Sequence, residues 1–378
     1  MLDEISQAVL SRDEVARYLR GAGGAPGDET RDRIYAYLDE LRTTQRYALY
    51  RSLKHPLYPI LRKIDRVVER IDIPRDVTAR TRVIYVSNHK SHIDYLVQPL
   101  LLDDFGVRPP IIAAGINLFG GALGLIHRHV TGAIPIRRNA KDPAYLVTLK
   151  AYIAELLKLH DLFFYVEGGR SYTGELKAPK TGLMHAALLA ERADIVIIPC
   201  AVAYDLVLED RVLAHQGVKR AQRPFSREIA EMVGSAVGYQ SRAIVTFGDP
   251  ISLRGRDPQS RRDVLDLARD VRAAIGRLYK VVPSALVARA LRPSMTVDRL
   301  GDEVGGLIDQ LRTRDANLDA VDAASAVDRG LMQLELRGVL VPEGRRIRVR
   351  DRHVLRYYAR TIQHLFEDAA PDPDDTAE

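Results

Sequence analysis

Through the middle of the chain the apolar positions change period repeatedly. Short apolar runs at 82–87, 110–114, 132–136, 162–167, 195–204 and 242–248 have the length of buried strands. Between them, the stretches near 92–103, 116–127, 143–159, 180–192 and 259–280 carry helical patterns. This alternation over 80–255 predicts an α/β fold, a mixed, largely parallel sheet flanked by helices. In such sheets ligands collect beyond the carboxyl ends of the strands.

The flanks read differently. Residues 1–28 close on the glycine-rich run Gly21 to Gly27 and are expected to form a flexible N-terminus. In 29–79, an N-terminal helical region, residues 29–70 predict two or three helices. Ile34, Leu38 and Leu41, then Leu53, Leu57, Ile60, Leu61, Ile64, Val67 and Val68, keep helical spacing. The opposite faces carry Arg46, Arg51, Lys54, Arg62, Lys63, Arg66 and Arg70, which suit a solvated face or, alternatively, acidic lipid headgroups. The α/β part then occupies 80–284. Residues 285–366 are mainly helical, with a short turn from Val339 to Gly344, and the Asp-, Pro- and Ala-rich tail 367–378 is expected to be disordered. There is no internal repeat.

Composition narrows this picture. The 378 residues suggest two or three domains, and 46% of them are apolar, so the chain can bury a large core. A net charge of +6 favours an anionic partner, such as a phosphate compound or an acidic membrane surface. No tract of Lys and Arg with interleaved aromatics points to nucleic acid. The single cysteine, Cys200, rules out an intramolecular disulfide framework and fits a reducing compartment; within its apolar run it reads as a small buried hydrophobe. The acidic start Met1-Leu2-Asp3-Glu4 does not resemble a signal peptide. The longest charge-free stretch, Pro109 to Ile126, is broken by two prolines and four glycines, so it reads as a strand and an apolar helix rather than a membrane span. Any membrane contact is then expected at the surface.

Candidate chemistry lies at the strand ends. After the apolar run Val83-Ile84-Tyr85-Val86 comes Ser87-Asn88-His89-Lys90-Ser91-His92-Ile93-Asp94-Tyr95. On one straight helix, residues five apart sit roughly 140° from each other. His89 and Asp94 therefore meet only if His89 lies on the turn before the helix and Asp94 in its first turn. A histidine held by a carboxylate there is a base able to activate a hydroxyl. Ser91-x-x-Asp94 equally reads as a capping box, with His89 an ordinary loop residue.

Gly132-Ala133-Ile134-Pro135-Ile136-Arg137-Arg138 ends a short strand in two arginines, suited to phosphate or simply to solvent. Phe163-Phe164-Tyr165-Val166-Glu167-Gly168-Gly169-Arg170-Ser171-Tyr172 runs an aromatic strand into an acid, two glycines and an arginine. Glycines let a backbone approach a ligand closely. Arg170 would point toward a phosphate and Glu167 would orient a hydroxyl or brace the site; a tight turn with a local Glu–Arg pair is the plainer alternative. Lys177 and Lys180 flank this turn, and Lys180-Thr181-Gly182 opens the next helix, whose amino terminus suits an anion. Val196-Ile197-Ile198-Pro199-Cys200-Ala201-Val202-Ala203-Tyr204 reads mainly as core, with a wall of a substrate pocket as its functional alternative.

In that order and spacing, His89-x4-Asp94, Gly132 to Arg138, Glu167-Gly168-Gly169-Arg170 and Ile198-Pro199 resemble the four sequence blocks of the glycerolipid acyltransferases. Asn88 to Leu96, Ala114-Gly115-Ile116-Asn117-Leu118, Gly168 to Ser171 with Pro179-Lys180-Thr181-Gly182, and Leu355-Arg356-Tyr357-Tyr358-Ala359-Arg360 resemble its bacterial membrane-associated glycerol-3-phosphate acyltransferases. The resemblance spans roughly residues 30–366.

It implies transfer of a fatty acyl group from a thioester to the 1-hydroxyl of glycerol 3-phosphate, the first step of phospholipid synthesis. His89 is then the general base and Asp94 fixes its tautomer. The hydroxyl attacks the thioester directly, so Ser91 is a cap rather than an acyl carrier. Arg137, Arg138, Arg170 and Lys180 are implied phosphate binders, with Glu167, Gly168, Gly169 and Ser171 completing the substrate site. No metal and no cofactor are implied beyond an acyl-CoA or acyl carrier protein thioester as co-substrate. The implied partners are glycerol 3-phosphate, that thioester and a membrane surface, with peripheral attachment at the cytoplasmic face of the cell membrane. Two departures stand out: Tyr172 replaces an arginine usual in the family, and the chain is shorter than many members. Dihydroxyacetone phosphate or a lysophospholipid as acceptor, a non-catalytic lipid-binding protein, and a metal hydrolase using His89, His92 and Asp94 are the alternative readings.

Overall fold

The computed structural model describes residues 3–21, 28–46, 52, 64–70, 80–120, 128–129, 132–192, 194–219, 241–293, 295–320, 322–344 and 346–367. Its centre is an eight-stranded sheet of β1 (Ile64–Arg70), β2 (Arg82–Ser87), β3 (Ile111–Gly115), β4 (Ala133–Ile136), β5 (Leu162–Tyr165), β6 (Ile195–Tyr204), β7 (Ser241–Phe247) and β8 (Ile251–Ser252). The strand order is β1-β7-β6-β2-β5-β3-β4, with β8 pairing β6 off this path. The block β6-β2-β5-β3-β4 is parallel throughout, β1 is parallel to β7, and only the β6–β7 and β6–β8 pairings are antiparallel. The sheet is thus mixed and largely parallel, as the alternating periods predict.

Parallel strands need helical crossovers, which cover the faces of the sheet and bury the strands. Val83 to Val86 in β2 and Ile197 to Tyr204 in β6 are buried, and Cys200 lies among them as a free thiol. A long crossover helix is α5 (Pro143–Leu159), preceded in chain order by α1 (Glu4–Ser11), α2 (Asp13–Arg20), α3 (Asp28–Leu41) and α4 (Asp94–Asp104). It starts where Asp142 caps the Ala144 N–H with a proline in the first turn, a favoured helix start. Helices α1, α2 and α3 pack on α5, as does α6 (Gly182–Leu188). Beyond α7 (Asp210–Lys219), helix α8 (Arg261–Leu278) lies against β6. The C-terminal part adds α9 (Pro283–Ala290), α10 (Val297–Arg312), α11 (Ala323–Leu336), the hairpin β9 (Leu340–Glu343) and β10 (Arg346–Val349), and α12 (Arg352–Arg360).

Four expectations need correction. The N-terminus expected to be flexible contains α1 and α2, which bury Ser6, Val9 and Val15; Arg12 at their junction pairs with Glu155 of α5 at 2.8 Å. The glycine run that suggested flexibility lies at 22–27, outside the described residues. The helical reading of 29–70 holds for α3 but fails at β1, whose backbone pairs with β7 from Ile64–Ser241 to Val68–Val245. Ile64, Val67 and Val68 are β-branched, and a waiting strand edge outweighs a helical spacing of few apolar positions. Of the helix expected at 116–127, the structure shows a 3-10 turn at Ile116–Leu118, and 121–127 lie outside the described residues. The turn read at 339–344 is part of the β9–β10 hairpin. The tail beyond residue 367 also lies outside the described residues.

The carboxyl ends of β2, β3, β4 and β5 are neighbours, and the loops that follow them enclose one cleft of about 600 Å³. The C-terminal helices brace these loops. Gly174, after the β5 turn, has φ +88° and lies so close to the Tyr357 carbonyl of α12 that an added Cβ would collide with it. Gly106 has φ +71° with open space around it. Left-handed backbone costs a side-chain-bearing residue about 1–2 kcal/mol. Gly106→Ala should lose stability on that scale, whereas Gly174→Ala adds overpacking and should lose about 3 kcal/mol or more. Denaturant unfolding of both variants checks this; equal losses would mean that the Gly174–Tyr357 approach does not hold the loop.

Candidate active site

Strand β2 ends at Ser87, and the chain leaves the sheet as a turn that Asn88 pins. Its side-chain amide donates to the Val202 carbonyl at 2.9 Å and accepts from the Val202 N–H at 2.8 Å, so it stands in for a backbone peptide and extends the ladder onto β6. His89 follows on this turn, and Asp94 is the first residue of α4. The two meet as the spacing requires: His89 Nδ1 lies 2.9 Å from Asp94 Oδ2. The same oxygen accepts the Lys90 N–H at 2.6 Å and the Ser91 N–H at 2.9 Å, while Oδ1 accepts the Tyr204 hydroxyl at 2.5 Å. One carboxylate therefore holds the base and also makes the carboxylate half of the capping box, through the Ser91 N–H. Ser91 Oγ, instead of completing the box, donates to Glu209 Oε2 at 2.7 Å.

Asp94 is surrounded by donors, so the proton it shares with His89 belongs on Nδ1. This leaves the Nε2 lone pair on the ring edge away from Asp94. The ring stacks on Tyr165 with centroids 4.0 Å apart and an interplanar angle of 11°. Burial pushes the imidazole down to about 4; Asp94 opposes that shift, and Arg170 and His92 add to it. At neutral pH His89 is an uncharged base. The buried Tyr204 phenol is held well above its ordinary value, chiefly by burial and by Asp94, and stays a donor.

The turn after β5 forms the facing wall. Glu167 is buried; its Oε1 accepts the His89 N–H at 3.1 Å and its Oε2 the Lys177 N–H at 3.3 Å. It braces the histidine's backbone, and burial raises its carboxyl above the ordinary range despite nearby Lys90. Gly168 has φ +67°, and Gly169 passes beneath the Arg138 guanidinium. The Ser171 N–H donates to the His89 carbonyl at 3.1 Å and its hydroxyl to the Glu175 carbonyl at 2.7 Å, so Ser171 ties the turns after β2 and β5 together.

The cleft is lined by His89, His92, Gly168, Gly169, Arg138 and Arg170 on its polar side, with Tyr172 beside them. Ile112 to Ala114, Ile116, Leu118, Ile136, Phe164 and Leu183 make an apolar wall. Of the four cations proposed for phosphate, the structure brings together Arg138 and Arg170. Arg137 does not join them. It turns to Glu40 of α3, with contacts at 2.8 and 2.5 Å, and lies over the rings of Tyr37 and Tyr145. Consecutive residues at a strand end face opposite ways. Lys180 is exposed, with its stem against Gly168 and its N–H donated to the Val166 carbonyl, and it does not line the cleft. Among the described residues no group of three or more His, Cys, Asp or Glu is placed to hold a metal ion.

Sequence reasoning missed Tyr204 and Glu209. Tyr204 had been read as core, and nothing local marks Glu209, whose contacts to Ser91 and His92 span 118 and 117 residues of chain.

Residues 68–203 match the family model described as Acyltransferase. A glycerol-3-phosphate acyltransferase from Pseudomonas savastanoi is 33% identical over 282 residues, 70% of this chain and 33% of that protein. One from Actinobacillus succinogenes is 30% identical over 318 residues, 75% of this chain and 39% of that protein. The chain thus spans little more than a third of the length of these relatives. Among solved structures, the 1-acyl-sn-glycerophosphate acyltransferase of Thermotoga maritima aligns with 56% of this chain and 71% of that one, at 16% identity and a TM-score of 0.34, an overlap too small to bear on the function.

The depressed basicity of His89 is directly measurable. In a histidine NMR titration its ring should protonate near pH 4, far below the ordinary value of about 6.5. Protonation between pH 6 and 7 would show that Asp94, not burial, governs the site.

Proposed function

We propose that this chain transfers a fatty acyl group from an acyl thioester to the 1-hydroxyl of glycerol 3-phosphate. The observation that carries the reading is an uncharged, carboxylate-held His89 in a cleft lined by two arginines and by apolar side chains. The relatives named as glycerol-3-phosphate acyltransferases support the same choice.

In this reading Arg138 and Arg170 take the acceptor's phosphate and bring its free hydroxyl to His89. Nε2 accepts the hydroxyl proton as the oxygen attacks the thioester carbonyl carbon. The imidazolium so formed is stabilised by Asp94, as the base of a hydrolytic triad is by its carboxylate. Collapse of the tetrahedral intermediate breaks the carbon–sulfur bond, and the proton passes from His89 to the departing thiolate. No enzyme acyl intermediate forms, consistent with Ser91 being committed to Glu209. The apolar wall suits the acyl chain. The donor is a coenzyme A or acyl carrier protein thioester. A long-chain acyl thioester and the acylated product partition into bilayers, which favours peripheral association at the cytoplasmic face of the membrane; no helix among the described residues is long and apolar enough to cross one.

The test is purified protein with labelled glycerol 3-phosphate and a series of acyl thioesters, followed by identification of the product. Dihydroxyacetone phosphate and lysophospholipid are the comparison acceptors, because Tyr172 stands where the family usually has a third cation. His89→Ala should lower turnover about 10²–10⁴-fold in a folded protein, and Asp94→Asn should reduce it severely. Near-normal turnover by folded His89→Ala would remove the base from the mechanism.

The arginines separate the substrates. Loss of a charge-assisted hydrogen bond costs roughly 1.5–3 kcal/mol. Arg138→Ala and Arg170→Ala should therefore raise the KM for glycerol 3-phosphate by at least about tenfold and change that for the acyl donor little. Equal rises in both constants would make these arginines supports of the fold rather than phosphate ligands.

A further inference from the structure

A buried acid stands beneath the proposed phosphate site. Glu209 precedes α7 and is 3% exposed. Its Oε2 accepts the Ser91 hydroxyl at 2.7 Å, and its Oε1 accepts the His92 N–H at 2.6 Å and lies 3.4 Å from Arg170 Nη1. By Coulomb's law alone a carboxylate here opposes the binding of a phosphate. The contacts show what offsets that penalty. Both carboxylate oxygens grip the loop between His89 and Asp94, and one of them, Oε1, also meets an arginine that lines the cleft. The anchor is itself rigid. The next residue, Asp210, accepts Arg337 Nε at 2.9 Å and the Tyr358 hydroxyl at 2.7 Å, both from the C-terminal part.

Resting on the acyl-transfer reading above, we propose that Glu209 is a positioning residue that sets Arg170 for the acceptor's phosphate and fixes its distance from the base-bearing loop. It touches neither substrate. Its effect on the acceptor passes through Arg170, and its effect on the base through Ser91 and His92. Two consequences distinguish this role from general support of the fold. Damage at Glu209 must fall on the acceptor more than on the acyl donor. It must also depend on Arg170 being present.

The experiment is a double-mutant cycle of Glu209→Gln and Arg170→Met in the full chain, with steady-state kinetics for each substrate and a thermal melt of every variant. Gln keeps the volume and an oxygen for the His92 N–H but removes the charge facing Arg170; Met keeps the stem of the arginine without its donors. Loss of the charge-assisted contact should raise the acceptor KM about tenfold with donor KM within about twofold. In the Arg170→Met background the same substitution should add little, because the two act as a unit. Ser91→Ala, which removes the Oε2 contact to the loop and leaves the Arg170 contact in place, should lower kcat more than it raises the acceptor KM. A parallel rise in both KM values, an additive cycle, or a fall in acceptor KM, the sign expected of a carboxylate acting only as an unfavourable charge, overturns the proposal. The unmodified chain is assayed alongside. If it does not acylate glycerol 3-phosphate at all, the underlying reading has failed, whereas an active chain indifferent to Glu209→Gln defeats the positioning role alone.

Discussion

The candidate site depends on the saturation of one carboxylate. Asp94 receives two backbone N–H groups, a phenol and an imidazole N–H, and none of these donors has an equivalent acceptor elsewhere in the turn. A buried carboxylate is costly unless it is hydrogen-bonded on all sides. Here the bonds that meet this cost also define the geometry: they close the turn after β2, begin α4 and orient the imidazole. Removal of any one donor leaves both a less stable acid and a looser histidine, so stability and chemistry are not separable at this point.

The surroundings of the histidine extend the same logic. Its backbone N–H is held by Glu167 and its carbonyl by the Ser171 N–H, both from the turn after β5, so two strand ends share one turn's backbone. Lys90, between the catalytic pair, is buried; it donates to the Gly174 carbonyl at 2.5 Å and lies 5.2 Å from the Tyr279 ring centroid. Burial lowers its basicity, with Glu167 and Asp94 acting in the opposite direction. The polar groups of the site thus form two layers: the arginines and the imidazole at the cleft, then carboxylates and a buried lysine behind them.

Much of this was legible in the sequence. The six strands of the α/β core lie within about two residues of their predicted places, because fully buried strands carry long unbroken apolar runs. The meeting of His89 and Asp94 follows from arithmetic on a strand-to-helix turn. What was not legible is of two kinds. Arg137 and Arg138 are adjacent and chemically alike, and only the pleat of β4, with Glu40 and two tyrosines waiting on one side, separates a structural role from a cleft-facing one. Glu209, Tyr204 and β1 depend on partners more than a hundred residues away, and no local pattern records such a partner. The motif Leu355 to Arg360 was legible as a resemblance but not as a mechanism; its Tyr358 holds Asp210 and its Tyr357 backbone abuts Gly174.

That last contact separates two boundaries that usually coincide. The segment matched by the family model ends at residue 203, inside β6. The wall of the cleft, however, rests on α12, and the strand that completes one side of β6 begins at Ser241. The stretch matched by the family model is therefore smaller than the structure that braces the cleft. Cut at the limits of that match, it would expose the edge of β6, leave Lys90 with no aromatic ring behind it, and lose Glu209, which holds Ser91 and His92. The candidate site residues His89 to Arg170 thus lie within the matched segment, while a contact that braces them comes from Tyr357, more than 150 residues beyond its end.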